Sequence, residues 1–169
     1  MTITVSNLSK KYSVAPITEE KMSAVYELCQ GNPTYYRYMK IDVTPEGVAG
    51  IAKALPPNKS YEDKFFLGFY QQERLVAIMD LILDFPVPQT AFIGLFMMNK
   101  ACQGQGIGSE IMGDVLASLA EQGFTTARLG YIKGNAEAQG FWCKNSFVPT
   151  GAENETEAYT IVVMEKALA

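Results

Sequence analysis

The chain has 169 residues, 48% of them hydrophobic, a net charge of −4 and no histidine. This length and apolar content suit one domain with its own core (residues 1–169) and exclude a disordered chain. The acidic balance argues against a nucleic-acid partner, the missing histidines remove Ser-His-Asp, Cys-His and most zinc chemistry, and no apolar run reaches the ~18–20 residues of a membrane span. In chain order, residues 2–8 alternate polar and apolar and predict a short first strand. A helix follows Thr18, with Met22, Val25, Tyr26 and Cys29 on one face and Gly31 and Pro33 at its end. Residues 34–39, "TYYRYM", predict a short helix or turn, and Thr44-Pro45 caps a helix that stops before Pro56-Pro57. Residues 64–71 and 74–85 are apolar runs separated by "QE", a hairpin, and 90–98 is a third strand. After a glycine-rich turn come an amphipathic helix closed by Gly123, a strand at 126–132, a helix at 135–145 and a last strand at 157–168. The crossover from 90–98 to 126–132 through a helix makes those two strands parallel within an otherwise antiparallel sheet.

The turn "ACQGQGIGSE" (101–110) carries the chemistry. A dinucleotide fingerprint with Gly104 and Gly106 as its first glycines needs a third where Ser109 stands, and a P-loop needs a lysine that is not there. A plain tight turn needs only one glycine. Bare backbone opening a helix nevertheless suits an anion, because the amides of the first helical turn point outward and lack acceptors. Cys29, Cys102 and Cys143 form no CxxC pair, as expected in a reducing compartment, and the first residues lack the pattern of a signal peptide. A cytoplasmic protein is the expectation, with no membrane partner and no metal.

The stretch "FMMNKACQGQGIGSEIM" resembles the coenzyme A loop of the GNAT superfamily of acyl-CoA-dependent N-acyltransferases, whose Gln/Arg-x-x-Gly-x-Gly/Ala pattern is filled by Gln103, Gly106 and Gly108, with Ile107 between the last two. A second motif follows at the family's spacing: in "NAEAQGFWCKNSF", Asn135, Ala138, Phe141, Lys144 and Phe147 match. The resemblance covers residues 64–166 and implies an α/β GNAT fold: a mixed, mostly antiparallel sheet, a parallel pair splayed around the coenzyme site, helices on both faces, and acceptor-side helices at 18–55. It implies acetyl-CoA as co-substrate, held by Gln103, Gly104, Gln105, Gly106, Ile107, Gly108 and Ser109, by the backbone of Phe96, Met97 and Met98, and by Asn135, Trp142 and Lys144. The implied reaction is direct attack of a primary amine of a small molecule, amino acid derivative or peptide on the thioester, through a tetrahedral intermediate, in a monomer or homodimer.

Within that resemblance the Met98 N–H is the donor expected at the oxyanion. The family's acid tyrosine is replaced by Trp142, whose indole is no usable acid; Tyr131 is the substitute. Strand 90–98 has no carboxylate, which leaves Asp80, inside "LVAIMDLIL", as base and acceptor contact. Tyr35 and Tyr36 are acceptor-side aromatics suited to a cation, and the acidic balance favours a cationic or peptide amine. The alternative is a non-catalytic acyl-CoA-binding module.

Overall fold

The computed structural model describes residues 1–168. Seven strands form one sheet in the order β1-β2-β3-β4-β5-β7-β6. They are β1 (Ser13–Pro16), β2 (Lys64–Gln71), β3 (Arg74–Leu83), β4 (Thr90–Met98), β5 (Thr126–Ile132), β6 (Val148–Glu155) and β7 (Thr160–Ala167). Five helices cover it: α1 (Met22–Gln30), α2 (Pro33–Met39), α3 (Pro45–Lys53), α4 (Ile107–Glu121) and α5 (Ala136–Lys144). Every neighbouring pair is antiparallel except β4 and β5, which run parallel with α4 as their crossover. The fold is the mixed α/β sheet that the sequence implies.

Strand alternation sends β3 side chains to two different cores. Ala77, Met79 and Leu81 face α4 with Ile111, Val115 and Leu119, while Ile78 faces α1 and α3 with Val25, Cys29 and Val48. β3 therefore reads as a continuous apolar run, being covered on both faces. Asp80 is its one acidic residue, and alternation from Ile78 puts it on the α1–α3 side.

Two expectations need correction. Residues 2–8 form no strand: Asn7 donates to the Thr4 carbonyl, and a 3-10 turn at Val5–Leu8 drops Leu8 into the core. The first strand is β1, and an unexpected strand, β6, precedes the last. β6 is exposed along its whole length, so no apolar pattern announced it; pairing with β7 creates it. Elsewhere local signals act as expected. Thr44 Oγ1 accepts from the Gly47 amide at 3.0 Å, and the Gln72-Glu73 hairpin turns with Gln72 at φ 56°.

Candidate active site

The parallel pair holds together over four residues only, from Thr90 opposite Thr126 to Ile93 opposite Leu129. The cause of the parting lies on the other edge of β4. Asp80 pairs with Leu95 but Leu81 with Ile93, so Gly94 is an extra residue, a bulge that bends the strand away from β5. A Cβ on Gly94 would sit 2.8 Å from Asp80 Oδ2, which explains why the bulged residue has no side chain. Asp80 is itself held by Lys64, whose Nζ donates to Oδ1 at 2.7 Å; the side chains are 3% and 13% exposed. Burial raises the Asp80 pKa, and the Lys64 ammonium opposes that shift without cancelling it. A buried carboxylate without a partner would be costly, and this one has its partner.

Beyond the bulge β4 has a free edge. The Asn99 amide donates to the Val76 carbonyl at 2.8 Å. Antiparallel alternation then turns the backbone groups of Leu95 and Met97 toward β3 and those of Phe96 and Met98 toward the gap. Met97, expected to offer its backbone to the coenzyme, has that backbone turned toward β3 by this alternation and its side chain buried among the α1–α3 residues, although it also lines the smaller cavity along the gap. The Met98 carbonyl is already taken, accepting from Asn32 Nδ2 at 3.0 Å and Gln103 Nε2 at 3.2 Å. Gln103 Nε2 also donates to Asn32 Oδ1 at 2.8 Å. Gln103 therefore fastens the loop to the α1–α2 junction and adds no charge. Asn32 escaped sequence reasoning because beside Pro33 it looks only like a helix boundary.

The glycine turn leads directly from this edge into α4. Gly104 and Gly106 have φ of 75° and 77°, and a Cβ at either would meet nothing within 4 Å. They supply the left-handed turn, and the space beside them is open. Gly108 differs: a Cβ there would lie 3.2 Å from Phe141 and 3.5 Å from Met98, so it allows α4 to pack closely. The first bond of α4 runs from the Glu110 amide to the Gly106 carbonyl, which leaves the amides of Ile107, Gly108 and Ser109 as the free N-terminal set. Gln105 Nε2 braces the loop on the Ala101 carbonyl, and Ser109 Oγ accepts from Asn145 on α5.

Two connected cavities follow the gap, of about 220 Å³ beside Met98 and Gln103 and about 360 Å³ beside Gly94 and Gly130; both are lined by Tyr35, Phe96, Asn135 and Trp142. Asn135 caps α5, accepting from the Ala138 amide at 3.1 Å. Phe96 stacks on Phe141 at 5.8 Å, and Trp142 meets Phe141 edge-on at 4.9 Å. Tyr131 and Tyr159, the latter not expected, line the larger cavity. Burial, then the neighbouring Tyr159 and Cys29, pushes the Tyr35 phenol up to about 12. Burial also raises Tyr131. Tyr36 does not line the cavity: it is 8% exposed in the α1–α3 core, where burial and a hydrogen bond with Cys29 raise its pKa. It packs α2 onto the sheet. Lys144 is exposed at the end of α5.

An open glycine loop at a helix N-terminus, a strand edge without a neighbour, and a cavity at its end suit a long ligand carrying phosphates. The family model described as "Acetyltransferase (GNAT) family" matches residues 19–147, well over half the chain. The chain belongs to the GNAT acetyltransferase family. It is accordingly an acyltransferase, and the GNAT family uses acetyl-CoA. Solved GNAT structures share the fold at low identity. An acetyltransferase from Thermus thermophilus is 18% identical with a TM-score of 0.75, covering 94% of this chain and 97% of that one. An acetyltransferase from Salmonella typhimurium that modifies the N-terminal serine of ribosomal protein L7/L12 is 15% identical with a TM-score of 0.74, covering 97% and 99%. PaiA N-acetyltransferase from Thermoplasma acidophilum, in complex with coenzyme A, is 16% identical with a TM-score of 0.66, covering 92% and 98%. No curated protein matches the chain in sequence. Open space beside Gly104 and Gly106, next to the unbonded amides that open α4, suits a phosphate-bearing coenzyme.

Proposed function

We propose that the protein transfers an acetyl group from acetyl-CoA to the primary amine of a small molecule, amino acid derivative or peptide. The observation that carries this reading is the free edge of β4, where the Phe96 and Met98 amides face the gap between the glycine loop and the larger cavity. Bound acetyl-CoA supplies the activated acyl group. Everything else falls to the chain. The amides at the α4 N-terminus seat the pyrophosphate, with Lys144 at the phosphate end.

The order of residues along β4 then divides the two free amides. A ligand entering from the glycine loop passes Met98 before Phe96 and meets the bulge last. Met98 therefore holds the pantetheine arm, and Phe96, nearer the cavity, is the donor to the thioester oxygen. This reassigns the role that the sequence gave to Met98. Such a donor acts where charge develops and is worth about 10²–10³ in rate.

Among the described residues no carboxylate lines either cavity except Glu137, which lines the smaller one. Asp80 is the proposed proton acceptor, acting through water past Gly94, whose missing side chain leaves Oδ2 close behind the cavity wall. Burial strengthens it as a base. Tyr35 and Tyr131, whose phenols burial makes still weaker acids, are the proposed hydrogen-bond donors to the departing sulfur. Trp142 shapes the wall. Its presence at the usual tyrosine position, with the absence of a carboxylate from β4, favours a module that binds acyl-CoA without turnover, whereas the open cavity favours an enzyme.

Thiol release from acetyl-CoA across a panel of amines, with coenzyme A binding followed by calorimetry, separates the two. Turnover with any amine supports transfer. Tight binding without turnover across small amines and peptides would move the protein to the binding-module class.

A further inference from the structure

Beyond the larger cavity, between α2 and the β6–β7 turn, lies a recess of about 460 Å³ that shares Ile132 and Tyr159 with it. Arg37, Lys40 and Lys133 line this recess together with Tyr38 and Tyr159, and among the described residues no carboxylate does. In a chain of net charge −4, three of its 14 basic residues thus converge on one hollow. Lys133 is partly neutralised by Glu153, at 3.1 Å and 3.2 Å from its Nζ, whereas Arg37 and Lys40 form no ion pair among the described residues. Basic residues at the end of α2 also suit the helix dipole, but that reason does not extend to Lys133, which follows β5. Among the described residues, no charged side chain lines the inner cavity.

We propose that the acceptor is an anionic amine, an amino acid whose amine enters the aromatic inner cavity while its carboxylate rests against Arg37 and Lys40 in the outer recess. The inference rests on the acetyl-transfer reading and reverses the preference for a cationic amine drawn from overall charge. The chain's net charge is set by acidic residues elsewhere; the recess has its own sign. Guanidinium and ammonium groups both donate to a carboxylate, and such charge-assisted bonds are the stronger kind.

The test compares amino acids with their carboxamides, and separately their N-acetylated products as ligands of the protein with coenzyme A. For at least one side chain the N-acetylated acid is expected to bind about tenfold more tightly than its amide. In Arg37→Ala and Lys40→Ala that ratio should collapse, and in the wild type it should shrink as salt rises. The same ratio is expected in kcat/KM, although the amide's more weakly basic amine is better deprotonated near neutrality. Equal binding of acid and amide, tighter binding of the amide, or binding of neither form across the panel overturns the proposal. Binding of the acetylated acid without any transfer would instead refute the acetyl-transfer reading and leave the anion recess standing.

Discussion

Lys64 is 3% exposed at its side chain, and among the described residues its ammonium has one anionic partner, Asp80. Removing either member leaves the other charge buried, so Asp80→Asn should destabilise the fold by about 3–5 kcal/mol. Adding Lys64→Met removes the orphaned ammonium and should recover much of that loss; chemical denaturation of the single and double variants checks it. The pH dependence has a definite sign. Folding raises the Asp80 pKa above its ordinary 3.8, so ionisation costs the folded state more than the unfolded one. Its contribution is most favourable below pH 3.8 and declines as pH rises through the folded value. Wild-type stability minus that of Asp80→Asn should therefore fall across that window and then level off. Because Asp80→Asn perturbs the fold, its role as base is read from Asp80→Glu, where a shifted pH profile in kcat without loss of coenzyme binding is expected.

Asn32 shows how one side chain can tie elements together. Its amide donates to Leu28 and Met98 carbonyls and accepts from Gln103. Asn32→Ala removes all three bonds and leaves Gln103 held only by its 3.2 Å bond to the Met98 carbonyl, so coenzyme A affinity should fall about tenfold with the helices intact, as calorimetry and circular dichroism would show.

At the level of elements, the glycine loop and α4 act together. Gly106→Glu places a carboxylate, on a backbone at φ 77°, where the free amides converge. Coenzyme A binding should be abolished in a folded protein, and unchanged affinity would remove the pyrophosphate assignment. Gly94→Val is expected to disturb the bulge itself, because its Cβ meets Asp80 at 2.8 Å. These two glycines illustrate what the sequence makes legible. The loop announces itself, since three glycines at the start of an amphipathic helix, two before it and one in its first turn, have few other uses. Gly94 does not, because its reason is a carboxylate fourteen residues earlier on a neighbouring strand. Likewise β2, β3, β4 and α4 follow from apolar pattern, whereas β6 has none and exists through its partner. The tyrosines of α2 could be nominated but not sorted, and only packing separates Tyr35 in the cavity from Tyr36 in the core.

Across the whole molecule, the sheet is two leaves, β1-β2-β3-β4 and β5-β7-β6, bound along a spine of four residue pairs. One bulge keeps their outer ends apart. A ligand lying in the opening would act as a clasp, supplying to β4 the acceptors that β5 withholds. The apo protein should then be softest along this opening, with the Phe96 amide exchanging with solvent far faster than that of Met97 only one residue away. Acetyl-CoA, whose thioester oxygen is the proposed acceptor for Phe96, should slow Phe96 and leave Met97 unchanged, a contrast that exchange measured amide by amide would resolve. The substrate would be, while it stays, part of what holds the book shut.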